Sequence, residues 1–187
     1  MRSPGLGLFV VGAFALAGVG CGGSGEIRAA GYTLDVGDSA YFSYDNAQEC
    51  PHGGLGELVL DFVDYNYICD PHHAPTRNAA NSHVELKIIV TIGPAPDYAG
   101  SFPTLHPYEV GPADCDNGPT SPAIAEMIHF PAGDSSGNTP DAIKQADSGS
   151  VQFTQFKADK SQQLKGVYEL HFGSDVVKNS FALDSCN

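Results

Sequence analysis

A chain of 187 residues is long enough for one domain with an apolar core, and its net charge of −13 disfavours nucleic acid as a partner. Hydrophobic residues make up 42% of the chain and charged residues only 17%, a composition too apolar for a disordered protein. The 22 glycines and 13 prolines predict many turns and loops.

The N-terminal residues have the layout of a secretory signal peptide. One cation, Arg2, precedes an apolar run over residues 6–19, and small residues lead from there into Cys21. A membrane-spanning helix needs about 20 strongly apolar residues, and this run is shorter and contains several glycines. We therefore interpret residues 1–20 as a signal peptide that is removed on export.

The residues around the first cysteine extend this interpretation. Gly18-Val19-Gly20-Cys21, with a Gly/Ser tract directly after it, resembles the lipobox of bacterial lipoproteins. The resemblance implies that Cys21 becomes a lipidated N-terminus that anchors the protein to a membrane. The Gly/Ser tract predicts a flexible tether over residues 21–30, and the length of the remaining chain, with no change of composition along it, predicts a single domain over residues 31–187.

Two locations follow from the two ways of reading the cleavage site. Gly22 stands where lipoproteins of the inner membrane often have Asp, so the resemblance implies the outer membrane of a bacterial cell envelope. The alternative is ordinary signal cleavage after Ala17, which would give a secreted protein with an unmodified Cys21.

The cysteine count agrees with lipidation of Cys21. The chain has five cysteines, so a lipidated Cys21 leaves an even number for disulfides in an oxidising compartment. The sequence does not decide between the pairings that four cysteines allow; we expect Cys50 to pair with Cys69, and Cys115 with Cys186. No two cysteines form a Cys-x-x-Cys motif, which disfavours a cysteine zinc site.

Alternating apolar residues predict strands in the first half of the domain. Leu58, Leu60 and Phe62 share one face of such a segment, and a Gly-Asp-Ser turn suggests that the first two segments form a hairpin. The last segment becomes continuously apolar, as in the middle of a sheet. These predicted strands lie within residues 31–36, 40–44, 57–65 and 84–92.

The middle of the chain is rich in proline and gives weaker signals. It has room for a short strand at 108–110, and an apolar segment at 123–130 is predicted as another strand. Thr139 as a cap and Pro140 in the first turn predict a short helix over 140–146.

The C-terminal third predicts an antiparallel meander. Val151 and Phe153 share one face of a first strand, residues 164–172 alternate, and residues 177–183 return after a Gly-Ser-Asp turn. Together with the earlier segments this makes about eight strands, so we expect an all-β fold, an antiparallel β-sandwich with one short helix.

The spacing within the meander carries a resemblance. Gly149-x-Val151, Gly166-x-Tyr168-x-Leu170-x-Phe172, Ser180-Phe181 and a cysteine beside the C-terminus resemble the ending of many uncharacterised bacterial lipoproteins with a C-terminal β-meander. Asn179 stands where that pattern tends to have Gly. The resemblance implies an exported protein and brings no activity with it.

Two motifs offer alternatives with chemistry. Residues 133–137 match the Gly-x-Ser-x-Gly elbow, which suggests a secreted serine hydrolase using Ser135 with His171 as its base. His72, His73 and His83 lie near Asp70 in one predicted loop, which suggests a metal-binding module. The Asp-rich segments 114–118 and 134–138 lack the closing Glu of a calcium loop and read as turns.

A non-catalytic role remains our main expectation, since neither motif has the full spacing of a known site. We predict a lipid-anchored envelope protein with a binding or structural role, no cofactor, no nucleic acid partner, and a protein or a glycan as a partner besides the membrane. Four tyrosines could stack on sugars or anchor such a partner: Tyr65, Tyr67, Tyr98 and Tyr108. A histidine meeting a carboxylate or a serine in a cleft would instead point to chemistry.

Overall fold

The fold was obtained as a computed structural model, which describes residues 25–44, 55–65, 69, 81–94, 107–112, 123–133, 139–156 and 163–186. Within these ranges the chain forms strands and no helix, so the predicted all-β class is confirmed. The strands are β1 (Glu26–Ala29), β2 (Tyr32–Asp35), β3 (Asp38–Tyr44), β4 (Leu55–Val63), β5 (His83–Pro94), β6 (Tyr108–Val110), β7 (Ala123–Phe130), β8 (Ala142–Gln145), β9 (Ser148–Gln155), β10 (Leu164–Phe172) and β11 (Asp175–Ser185).

The main sheet closes on itself in a barrel-like arrangement of eight strands. Its strand order is β5-β4-β3-β11-β10-β9-β6-β7-β8, and β5 also pairs with β7 from His83↔Phe130 to Val90↔Ala123. Because β5 has β4 on one edge and β7 on the other, the two ends of the sheet meet. The expected pair of facing sheets is therefore replaced by one closed sheet, with β8 as an additional strand on β7.

Aromatic and aliphatic side chains fill the interior of the barrel. The ring of Phe181 on β11 lies at the centre, with ring centroids 6.0 Å from Phe153, 6.3 Å from Phe62 and 6.3 Å from Tyr168. Burial raises the pKa of the Tyr168 hydroxyl, and the nearby Asn179 side chain opposes part of this rise. The two side chains are not joined by a hydrogen bond of good geometry. The interior is thus a packed core.

A second apolar cluster lies on the outer face of the wall. Val59, Ile89 and Ile124 are each less than 5% exposed, and the half-buried Phe42 packs against them. They occupy matched positions on β3, β4, β5 and β7. This second buried face explains why the sequence of β5 becomes continuously apolar.

The hairpin of β1 and β2 belongs to the domain and corrects the predicted tether. Ile27, Ala29 and Leu34 are buried in the same core as the barrel interior. The backbone N–H of Val36 donates to the carbonyl of Gly25 at 3.1 Å. The second half of segment 21–30 is therefore folded because it carries apolar residues that the core covers, whereas Cys21 and the signal peptide 1–20 lie outside the described residues.

The pairing of these first strands also differs from the predicted hairpin. β2 pairs with β1, and β3 pairs with β4 instead of with β2. The N–H of Gly37 donates to the carbonyl of Val63, so the predicted turn leads the chain from one sheet into the next. The C-terminal meander of β9, β10 and β11 is confirmed, strand by strand.

The segment predicted as a helix is a strand. Ala142–Gln145 pairs antiparallel with β7, from Glu126↔Gln145 to His129↔Ala142. An isolated helix of this length is unfavourable because its first turn fixes several residues for one hydrogen bond. The edge of β7 supplies hydrogen-bond partners to the same backbone, and the strand is formed instead.

The disulfide joins Cys69 to Cys186, so both predicted pairs are wrong. Parallel pairing of β11 with β3 at Ser185↔Tyr41 brings the C-terminal end of the chain beside the β3–β4 hairpin. The N–H of Cys186 donates to the carbonyl of Tyr41, and the chain reaches Cys69 shortly after it leaves β4. Cys50 and Cys115 lie outside the described residues.

Candidate functional site

Three histidines lie against carboxylates near the ends of strands. His83 Nδ1 is 2.9 Å from Asp64 Oδ1, His129 Nδ1 is 2.6 Å from Asp141 Oδ1, and His171 Nε2 is 3.0 Å from Glu169 Oε1. A histidine oriented by a carboxylate is a common element of catalytic and metal sites. These three pairs are therefore the candidate functional groups of the described residues.

The pair of His83 and Asp64 is the most buried of the three. Asp64 follows β4 directly and accepts two hydrogen bonds, from His83 Nδ1 and from the backbone N–H of Val84 at 3.1 Å. The edge of the His83 ring contacts Tyr65, with centroids 5.8 Å apart and planes at 84°. Only 12% of the His83 side chain is exposed. Asp64 thus fixes both the ring orientation and the start of β5.

The other ring nitrogen of His83 is the unusual feature of this pair. Nε2 is buried, and in the part of the chain that the structure describes it has no hydrogen-bond partner. When the neutral ring donates from Nδ1 to Asp64, Nε2 carries the lone pair. Such a nitrogen is chemically suited to bind a metal or accept a proton.

The pair of His129 and Asp141 attaches the hairpin to the barrel. The ring of Tyr32 on β2 stacks on His129 with centroids 5.1 Å apart and planes at 15°. The N–H of Asp141 donates to the carbonyl of His129, so the pair also begins the β7–β8 contact. At the turn of the hairpin, the N–H of Ala30 donates to Asp175 Oδ2. These contacts give His129 a structural role.

The pair of His171 and Glu169 lies on the outer face of β10 and is exposed. Glu169 Oε2 is 2.8 Å from Lys178 Nζ on β11. Hydrogen bonds from Lys178 and then from His171 lower the pKa of the Glu169 carboxyl. Exposed ion pairs of this kind contribute little to stability because water screens them.

The pairs are not assembled into one reaction centre. They use separate carboxylates, and none of the contacts just given brings a serine or cysteine to a histidine. Across the described ranges, no group of three or more His, Cys, Asp or Glu side chains is arranged to hold a metal ion. The contacts of the His83 and His129 pairs connect strand ends and the hairpin to the barrel.

The structure places some of the candidate site residues that were predicted from the sequence. Tyr65 contacts His83, and Tyr108 packs edge-on against Phe153 with centroids 5.5 Å apart, where burial raises the pKa of its hydroxyl. His171 meets Glu169. The remaining candidates lie outside the described residues: Ser135, His72, His73, Tyr67, Tyr98 and both Asp-rich segments.

The carboxylate partners had no signal in the sequence. Asp64 and His83 are 19 residues apart, and His129 and Asp141 are 12 apart. In each case the pairing of strands, which is not local in the sequence, brings the two side chains together.

Asp64→Ala tests whether the buried pair holds the fold together. We expect the free energy of unfolding to fall by about 2 kcal/mol, because the change removes two hydrogen bonds to a carboxylate and leaves buried groups unpaired. The matched control is Asp141→Ala, whose 52% exposed carboxylate we expect to matter by less than about 1 kcal/mol. Urea unfolding followed by circular dichroism measures both, and equal losses would contradict the assignment.

Comparison with known proteins leaves the site without a precedent. No protein-family model matches the chain, and neither does any curated protein or solved structure. In the described residues there is also no long apolar helix of the kind that crosses a bilayer.

Proposed function

We propose that this chain is a lipid-anchored protein of the bacterial cell envelope, held in the outer membrane through Cys21, with a non-catalytic binding or structural role. The disulfide between Cys69 and Cys186 is the observation that carries the proposal. Disulfides persist in oxidising compartments outside the cytosol, which agrees with an exported chain. With these two cysteines paired, three remain, and a disulfide between Cys50 and Cys115 would leave Cys21 for acylation.

The start of the fold also supports an anchor at Cys21. Within the described residues, backbone hydrogen bonding begins at Gly25, which is four residues after the cysteine in the sequence. A lipid attached there would connect almost directly to a rigid domain. The packed interior and the structural histidine pairs favour a surface that binds a protein or a glycan. The net charge of −13 continues to disfavour nucleic acid.

Mass spectrometry of the N-terminal peptide from the native host tests the anchor. We expect the mature chain to begin at an acylated Cys21 and to partition into detergent, and we expect Cys21→Ala to abolish both properties. Ser24→Ala, in the same Gly/Ser tract, is the matched control and should change neither. A mature chain that begins at an unmodified Gly18 would contradict lipidation and favour the secreted alternative.

A metal-binding module is the second candidate, and the buried Nε2 of His83 favours it. Elemental analysis of the purified domain, with and without His72→Ala and His73→Ala, tests it, and no bound metal in either sample would end it. Ser135 of the hydrolase alternative lies outside the described residues, and its base candidate His171 is partly exposed beside Glu169. Its test is labelling by a fluorophosphonate probe that disappears in Ser135→Ala.

A further inference from the structure

The seam between β3 and β11 is held by little backbone pairing. In the described residues these two strands pair only at Asp184↔Ala40 and Ser185↔Tyr41, whereas the opposite edge of β11 pairs with β10 over most of its length. The N–H of Cys186 adds one hydrogen bond to the carbonyl of Tyr41. The end of a strand with so few backbone hydrogen bonds opens at a low cost in free energy unless another contact restrains it.

The disulfide provides this restraint. Cys186 directly follows the last residue of β11, and its partner Cys69 lies a few residues beyond the end of β4. β4 in turn pairs with β3 along the whole length of β3. The disulfide therefore ties the end of β11 to the pair of β3 and β4.

The residues of the disulfide are accessible to a reductant. Cys69 is exposed and Cys186 is partly exposed. Thiol–disulfide exchange needs the access of a thiolate to one of the two sulfur atoms. A dithiol can therefore approach the bond from the side of Cys69, without prior unfolding of the barrel.

Two side chains beside the seam have opposite effects on its closure. Leu183 is buried in the core, which favours the closed seam. The hydroxyl of Tyr41 is buried as well, and in the part of the chain that the structure describes it has no hydrogen-bond partner. Opening would give this hydroxyl water as a partner, so closure has a cost that the disulfide offsets.

The rest of the sheet does not depend on this seam. β3 remains connected to β11 through β4, β5, β7, β6, β9 and β10, in the strand order of the closed sheet. The ring contact between Phe62 on β4 and Phe181 on β11 adds packing further along β11. An opening at the seam is therefore confined to strand ends and leaves one continuous sheet.

We propose that the disulfide between Cys69 and Cys186 is a redox switch that opens and closes the barrel at this seam. A thiolate of a dithiol reductant attacks Cys69 Sγ, and the sulfur of Cys186 leaves and takes up a proton. The second thiol of the reductant then displaces Cys69, so that the protein disulfide gains two electrons and the reductant becomes a disulfide. The end of β11 separates from β3 in the reduced protein and returns on reoxidation. This switch does not depend on the proposed lipid anchor.

Hydrogen–deuterium exchange of the full chain, in labelling pulses of seconds before and after reduction with dithiothreitol, tests the switch. We expect the exchange of residues 184–186 and 40–42 to rise several-fold on reduction, while β10 stays protected within the pulse. The rise should not depend on urea below the unfolding transition, because a local opening exposes little surface. The variant with Cys50→Ser and Cys115→Ser is the matched control and should behave in the same way, because it retains the bond between Cys69 and Cys186.

Two results would overturn the switch. One is a seam that stays protected after reduction. The other is a loss of protection at the seam and in β10 together, with the same dependence on urea, which would show a general loss of stability. Tyr41→Phe keeps the ring and removes the hydroxyl, so we expect it to reduce the rise at the seam. An unchanged rise would contradict the role given to this hydroxyl.

Discussion

Gly149→Ala should lower the free energy of unfolding by about 3 kcal/mol or more, the upper range for forcing extra volume into a packed site. A Cβ at this position would lie 2.2 Å from the carbonyl oxygen of Glu169 on β10, and that oxygen belongs to the backbone of a paired strand. The φ of Gly149 is +152°, in a region that other residues rarely adopt. In Gly149→Ala, the steric clash of the new Cβ and the strain of the backbone therefore both destabilise the folded state.

Gly166→Ala should cause a loss of similar size through a different contact. Its Cβ would lie 2.4 Å from the carbonyl oxygen of Gln152 and 2.5 Å from the ring of Phe181. Phe181 packs over the bare backbone of Gly166 in the pair Gly166↔Phe181, in the manner of an aromatic ring that covers a strand glycine. The ring cannot move away easily because Phe62, Phe153 and Tyr168 surround it.

The matched control for both changes is Gly173→Ala. This glycine has a φ of +62°, but a Cβ would have nothing within 4 Å, so we expect only the backbone cost of about 1 kcal/mol. Equilibrium unfolding in urea, followed by far-ultraviolet circular dichroism, measures all three variants. If Gly173→Ala proves as damaging as Gly149→Ala or Gly166→Ala, the close approach of β9 and β10 is not the cause.

Removing the disulfide with Cys69→Ser and Cys186→Ser should lower the free energy of unfolding by about 5 kcal/mol, as expected for closing a loop of about 100 residues. The two cysteines are 117 residues apart, so the crosslink restricts most of the unfolded chain. A domain of this size is stable by about 5–15 kcal/mol, and the double variant would lose a large part of that.

Peptide mapping without reduction provides the first readout and urea unfolding the second. Cys21→Ser is the control for cysteine removal and should leave the stability of the folded domain unchanged, because residue 21 precedes Gly25, where backbone hydrogen bonding starts in the described part of the chain. A map that joins Cys50 to Cys69, or Cys115 to Cys186, would contradict the pairing described for Cys69 and Cys186.

Local sequence patterns predicted the strands better than their partners. Alternation at Leu58, Leu60 and Phe62 correctly gave a strand with one buried face, because the strand period is a local property. The closing pairs β5–β7 and β11–β3 join segments far apart in the chain, and alternation contains no information on which strand lies next to which. The closed sheet could therefore not be distinguished from a sandwich.

The same distinction accounts for the other corrections. Thr139 and Pro140 are good helix-start residues, but the backbone of 142–145 gains hydrogen bonds from β7 that a local rule does not consider. Ile27 and Ala29 looked like part of a tether because flanking glycines dominated the composition. Conversely, the resemblance to lipoprotein endings singled out Gly149 and Gly166, and at both positions a Cβ would clash with the backbone of the neighbouring strand.

The position of the disulfide divides the domain mechanically. The covalent loop from Cys69 to Cys186 contains β5 to β11, whereas β1 to β4 precede it. The β1–β2 hairpin lies outside this loop, and in the described residues it is held to the barrel by side-chain packing and by hydrogen bonds such as that from Ala30 to Asp175. Reduction of the disulfide would therefore free β5 to β11 from a covalent constraint that does not include the hairpin.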